Sequence, residues 1–365
     1  MDLPEGQPDE QMSSSLSLSF IKSGLKPSLD PWRMEAAAAL ILGDGAIFDR
    51  SASARGPPGS FYGGAVGGGS RRKQPGLPRS SSTRPRAAGD PPLPPNHLLN
   101  QDISIEGLET NHFVLVHGGG FGAWCWYKTI SLLKDGGFRV NAIDLTGSGV
   151  HAFDSNNITS LSQYVEPVTN FLKNLGDKDK VILVGHDFGG ACISHAMEEF
   201  PSKIAKAVFV SAATPMNGQS ILDMFTNQVG GDDLMRRAQI FQYANGKDQP
   251  PTSIDLDKSL LDDLLFNQSP GKDVALASVS MRSIPFAPVL EKLSLSPKNY
   301  GSVRRFYVET TDDNAIPLPL QQSMHTSNPP ERVFQIKGSD HSPFFSKPQA
   351  LHRHLVEISK IPALG

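Results

Sequence analysis

The chain has only two cysteines in 365 residues, Cys125 and Cys192. Both lie among apolar neighbours and read as buried, reduced thiols, and neither spacing nor neighbours provide a metal-ligand set. Positive charge is not in excess: 34 Lys and Arg stand against 37 Asp and Glu, a net charge of −3, which leaves no electrostatic case for nucleic acid. No apolar run approaches the roughly 20 residues of a membrane span. Ala36 to Leu42 is far too short. Nothing in the chain points to a metal or a cofactor.

Residues 1 to about 108 also lack apolar periodicity, being rich in Ser, Gly, Pro, Ala and Arg. Met1 to Gln11 is acidic (Asp2, Glu5, Asp9, Glu10), which is wrong for the positive start of a secretory signal. Ser70-Arg71-Arg72-Lys73 and Arg79 to Arg86 then form a basic, serine-rich, acid-poor tract. That composition suits a plastid or mitochondrial transit peptide, although the tract lies far from Met1. It suits still better a disordered basic tail, and less well a tail acting at a membrane surface or under phosphorylation. Pro91-Pro92-Leu93-Pro94-Pro95 reads as a stiff, extended spacer. Residues 1–108 are therefore expected to be an extension, and 109–365 one globular domain of about 255 residues.

Within that domain, strand-like and helix-like segments alternate. Phe113 to Val116, Arg139 to Leu145, Val181 to Val184, Lys206 to Ala212, Val303 to Val308 and Arg332 to Ile336 read as strands. Helical patterns fall between them, which predicts an α/β fold with a mostly parallel central sheet and helices on both faces. The rhythm breaks between about 213 and 300, where Met216, Leu222, Phe225, Phe241, Leu264, Leu265 and Met281 lie in helix-like patches. An insertion there predicts a helical lid.

Gly185-His186-Asp187-Phe188-Gly189 follows a buried strand and opens a helix. This is the nucleophile elbow, G-x-S-x-G, with aspartate where serine is usual. Asp313 follows the penultimate strand and His341 the last one, giving the chain order nucleophile, acid, histidine of α/β-hydrolase triads. Loops at the carboxyl ends of parallel strands converge on one site. The early loop His117-Gly118-Gly119-Gly120 completes the set, and the N–H groups of Gly119 and Phe188 are the expected oxyanion donors.

The stretch from about Phe113 to Pro362 resembles the plant methylesterase family, relatives of hydroxynitrile lyases. The matching residues are His112 to Gly118, Gly122 to Lys128, Leu183 to His186, Gly189-Gly190, Asp313 with Ile316-Pro317, and Ile336 to His341. The resemblance implies an α/β-hydrolase that cleaves methyl esters of small carboxylic hormones such as indole-3-acetate, jasmonate and salicylate. Its acid-to-histidine spacing matches the 28-residue step from Asp313 to His341 and selects Asp313 over Asp312. One subgroup shares the basic, Ser-rich extension, which implies a chloroplast location, and the aspartate in the elbow. The oligomeric state stays open, a homodimer included.

Asp187 is one departure from the family pattern. Phe121 is another, standing where several family esterases have histidine, so a more apolar pocket mouth is expected. Ser342 replaces the lysine that follows the histidine in hydroxynitrile lyases, which argues against cyanide chemistry. A carboxylate attacking an ester carbonyl would give a mixed anhydride, higher in energy than the ester itself. Three readings stay open. Asp187 attacks an sp³ carbon, as in epoxide hydrolases, or it holds a water activated by His341, or the site binds ligand without turnover. The epoxide version needs a pair of lid tyrosines, for which only Tyr243 and Tyr300 are candidates.

Overall fold

The structure, a computed structural model, describes residues 105–226 and 234–363. The expectations for the acidic start, the basic tract and the proline spacer lie outside the described residues. Phe113-Val114-Leu115-Val116 is apolar at every position because both faces of its strand are covered, and β1 (His112–Val116) is buried throughout. A 3₁₀ turn at Ala123–Trp126 leads into α1 (Tyr127–Asp135), followed by β2 (Arg139–Ile143). Helix α2 (Leu161–Lys173) buries Leu161, Tyr164, Val165, Val168 and Leu172, a stripe at helical spacing. Its start is fixed reciprocally. The Ser160 hydroxyl accepts from the Gln163 N–H, and the Gln163 side chain accepts from the Thr159 N–H.

Strand β3 (Val181–Asp187), α3 (Gly189–Glu199) and β4 (Ile204–Ala212) follow, with β4 buried along its length. The insertion holds α4 (Ile221–Thr226), α5 (Leu234–Ala238), β5 (Gln239–Gln242), β6 (Ser253–Leu256), α6 (Leu261–Leu265), α7 (Gly271–Ser280), β7 (Ile284–Pro285) and α8 (Ala287–Leu290). The core then resumes with β8 (Arg304–Thr310), α9 (Leu318–Ser327), β9 (Arg332–Ile336), α10 (Pro343–Ser346) and α11 (Pro348–Lys360).

Six strands form one parallel sheet in the order β2-β1-β3-β4-β8-β9. One face buries Val114, Val116, Leu183 and Phe209 against α2 and α3. α1 packs with α11, which also meets β9. The insertion corrects the expectation of a purely helical lid, because β5, β6 and β7 pair antiparallel. Gln239-Ile240-Phe241-Gln242 and Ser253-Ile254-Asp255-Leu256 are too short to set up a helical stripe. Ser253 to Leu256 alternates polar and apolar, and pairing Phe241 with Ile254 satisfies both backbones. Among the described residues no helix is long and apolar enough to cross a membrane.

Candidate active site

The site forms where β3 leaves the sheet. Register between β3 and β4 shifts at His186/Asp187, and Asp187 takes φ 51°, a left-handed backbone uncommon outside glycine. Such strain persists only where the surroundings impose it. Here they do: a Cβ on Gly189 would lie 2.6 Å from the His117 carbonyl oxygen, and one on Gly190 2.1 Å from that of Ala213. The turn closes only with glycine at both positions.

The glycine loop after β1 is held by His117. Its buried Nε2 accepts from the Leu145 N–H at 3.0 Å, so Nδ1 bears the proton and donates to the Gly118 carbonyl at 2.8 Å. Burial lowers the pKa of this ring, which keeps it neutral. Gly118 packs so closely on the elbow that a Cβ there would fall 2.6 Å from the Asp187 Cβ.

The structure brings Asp187, His341, Asp313, Gly119 and Phe188 together. His341 Nδ1 donates to Asp313 Oδ2 at 2.9 Å, and His341 Nε2 lies 3.8 Å from Asp187 Oδ1. Asp313 is fixed by the N–H groups of Ala315 and Ile316 (2.9 and 2.8 Å) on Oδ1 and the Thr310 hydroxyl (3.0 Å) on Oδ2. Asp312, in contrast, is exposed and accepts from its neighbour Thr311. The second oxygen of Asp187 is the unexpected one. Oδ2 accepts the Gly119 N–H at 2.8 Å, and the Phe188 N–H also stabilises the ionised carboxylate. One of the two expected oxyanion donors, the Gly119 N–H, is therefore engaged by Asp187 itself.

Sequence reasoning passed over His186, the variable position of the elbow. Its Nε2–H donates to the His341 backbone carbonyl at 2.8 Å, and the two rings lie 4.6 Å apart. Burial holds the pKa of His186 well below the ordinary histidine range, aided by the neighbouring charge of His341. A histidine directly before the elbow residue was the available signal. Phe121 also needs correction: it does not line a pocket mouth. It is buried, with its ring against His186, Phe266 and Phe344. Neither tyrosine of the epoxide reading bonds to Asp187 or His341; the Tyr300 hydroxyl accepts from Asn328 at 2.7 Å. Among the described residues no group of three or more His, Cys, Asp or Glu could hold a metal ion.

Burial raises the pKa of Asp187, opposed by His341 and the two N–H groups. Burial alone would lower that of His341, but the charges of Asp313 and then Asp187, with the Asp313 hydrogen bond, push it up to about 9. The two carboxylates beside the ring favour its protonated form. Because its ordinary value is 6.5, its protonation stabilises the fold fully below pH 6.5, and that contribution drains away as pH rises through about 9. The expected result is a wild-type Tm that falls between pH 6.5 and 9, with a shallower fall in His341→Gln. Parallel wild-type and variant curves by calorimetry would contradict the raised value.

Fold and site together define a class. The model described as "Alpha/beta hydrolase family" matches residues 113–354. At finer grain, the chain is 66% identical over 314 residues to "Putative methylesterase 11, chloroplastic" of Arabidopsis thaliana, covering 86% of this chain and 78% of that protein. Two further Arabidopsis relatives, 62% and 64% identical, are covered over 66% and 65% of their own length. "Methyl jasmonate esterase 1" of Vitis vinifera is 38% identical, covering 68% of this chain and 96% of that protein. The crystal structure of a methylesterase from Arabidopsis superposes with a TM-score of 0.61 at 33% identity, covering 68% of this chain and 98% of that one. The chain belongs to the plant methylesterase family of α/β-hydrolases.

Proposed function

We propose that this protein hydrolyses methyl esters of small carboxylic acids of the plant-hormone kind, in the chloroplast, with Asp187, His341 and Asp313 as its working residues. The observation behind the mechanism is the engagement of Asp187 Oδ2 by the Gly119 N–H. An ester carbonyl oxygen cannot take that donor while the carboxylate holds it, so attack at the carbonyl is disfavoured twice, by the filled hole and by the mixed anhydride it would form.

Attack at the methyl carbon suffers neither objection. Asp187 Oδ1 forms a bond to the methyl carbon as the bond from that carbon to the ester oxygen breaks, and the acid leaves as its carboxylate. Esterification removes the negative charge of Asp187, one of the groups that hold His341 protonated. The ring then yields its proton more readily and can act as a general base. His341, oriented by Asp313, takes a proton from water as that water attacks the Asp187 Cγ. The developing oxyanion is the same Oδ2 that the Gly119 N–H already holds. His341 returns the proton to the departing methoxide. The products are the acid and methanol, and the carboxylate is restored. The same electrostatics disfavour the route in which His341 activates water directly, since beside an ionised Asp187 the ring is already protonated.

Single turnover in heavy-oxygen water tests the route. Label is expected on the Asp187 carboxylate and absent from the released acid. Label in the acid from the first turnover would overturn attack at the methyl carbon. Binding without any loss of ester would favour the ligand-binding reading instead. The chloroplast location draws on the names of the relatives and on the basic, serine-rich tract, and import of the full chain into isolated plastids checks it.

A further inference from the structure

A buried carboxylate that the proposed chemistry does not use lies between the insertion of α4 to α8, here called the cap, and the loop bearing His341. Asp340 is fully buried. Its Oδ1 accepts from the Ser342 N–H at 3.0 Å, within the turn that presents His341. Its Oδ2 reaches the cap, where it accepts from the Gln268 N–H at 3.0 Å and the Ser269 hydroxyl at 2.7 Å. These donors, with the Ser346 hydroxyl, stabilise the charge against burial, which acts to raise its pKa. One side chain thus joins the turn around His341 to the connection between α6 and α7.

The acid loop is fastened to the same stretch of the cap. Asn267 Nδ2 donates to the Asp312 carbonyl at 3.0 Å, and Asn314 Nδ2 donates to the Asp263 carbonyl at 2.7 Å. Asp313 is therefore flanked on both sides by residues bonded to the cap, and His341 on one side by Asp340. The site residues themselves make none of these bonds. A buried acceptor deprived of its donors is costly, so loss of the cap contacts would force the Asp340 loop to rearrange. Displacements of about 1 Å in a working group are enough to change rates by orders of magnitude.

We propose that the cap segment 263–269 is a positioning element for the site, and that Asp340 is the positioning residue through which it orients His341. The proposal rests on the reading of His341 as the working base only for its effect on rate; the orientation itself can be measured without turnover. A seated cap holds Asp313 and His341 in register, and a lifted cap releases both loops together. Substrate entry and readiness of the histidine then become one event.

The test uses the full chain with nitrogen-labelled histidine, the His341 ring signals being assigned by their loss in His341→Gln. Four ionisable groups surround that ring, Asp313, Asp187, Asp340 and His186, and Ser269→Ala removes none of them. Because Ser269 also stabilises the Asp340 charge that acts on His341, the two proteins are compared on the alkaline side of the carboxylate titration, where Asp340 is ionised in both and a remaining change in the His341 Nδ1–H signal reports geometry. The expected result is a shifted signal whose exchange with water is faster by at least about threefold. On a methyl ester substrate, kcat falls about tenfold while KM stays within about twofold. Asp340→Asn, which keeps only one acceptor oxygen, should change both readouts further. An unchanged His341 signal and exchange rate in the folded Ser269→Ala protein overturns the proposal, whatever Asp340→Asn does. If the wild type turns over no ester, the resonance arm still decides, so failure of the hydrolase reading is recognised separately.

Discussion

Replacing His341 by glutamine should arrest the protein with a methyl group on Asp187. The first step needs only the carboxylate, aligned by the Gly119 N–H at 2.8 Å. The second needs a base to activate water, and in His341→Gln that base is gone. Turnover should fall by about 10⁴-fold, the scale seen when a member of a concerted set is removed. A peptide spanning residue 187 should gain about 14 Da, the mass of a methyl in place of a proton, at close to one modification per chain. Digestion and mass spectrometry after incubation with a methyl ester gives the answer. Loss of turnover with an unmodified Asp187 peptide would eliminate attack at the methyl carbon. The experiment also separates this chain from a contaminating esterase, which would be indifferent to the substitution.

The second large effect is expected from Asp187→Ser, and it is a gain. The shorter side chain vacates the space held by Oδ2 and frees the Gly119 N–H, which with that of Phe188 can then take a substrate carbonyl oxygen. It also removes one of the charges holding His341 near pKa 9, so that the ring can accept the serine proton. Loss of a single oxyanion donor commonly costs 10² to 10³ in rate, and freeing the Gly119 N–H should raise hydrolysis of an activated ester such as p-nitrophenyl acetate by about 10²-fold or more over the wild type. The gain comes with a loss of stability. Aspartate tolerates a left-handed backbone better than serine, and residue 187 sits at φ 51°. A folded Asp187→Ser protein no faster than the wild type on that ester would mean that the donors do not form a competent hole.

The skeleton of this site was legible because its constraints are local or topological. Gly189 and Gly190 announce the elbow, since backbone oxygens occupy the space their side chains would need. Asp313 and His341 follow parallel strands, whose carboxyl ends must converge, and they meet at 2.9 Å. What stayed hidden depends on side-chain direction, which no pattern of residue types encodes. Nothing in G-H-D-F-G says that one oxygen of Asp187 turns to Gly119 while the other faces His341. His186 looked like filler until its ring was seen donating to the His341 carbonyl. Phe121 read as a pocket residue because the loop was recognised and the aromatic cluster beneath it was not. In the insertion, Phe241 and its neighbours fitted a helical patch as well as a strand, and only pairing with Ser253–Leu256 decides between them. Short apolar runs carry that ambiguity wherever the partner lies elsewhere in the chain.

The occupied anion hole also determines which reagents can find this protein. Fluorophosphonate probes need a hydroxyl nucleophile and a vacant pair of N–H groups for the phosphoryl oxygen. Here the residue at the elbow is an acid, and the Gly119 N–H already faces its own Oδ2. In an extract surveyed with such reagents the chain would go unmarked and be scored as silent, whatever its turnover. Simple alkylating agents, methyl sulfonates for instance, select instead for the proposed property, a carboxylate that attacks a carbon electrophile. A survey built on them would draw a different census of this fold, with members sorted by the bond they break instead of by the residue they lack.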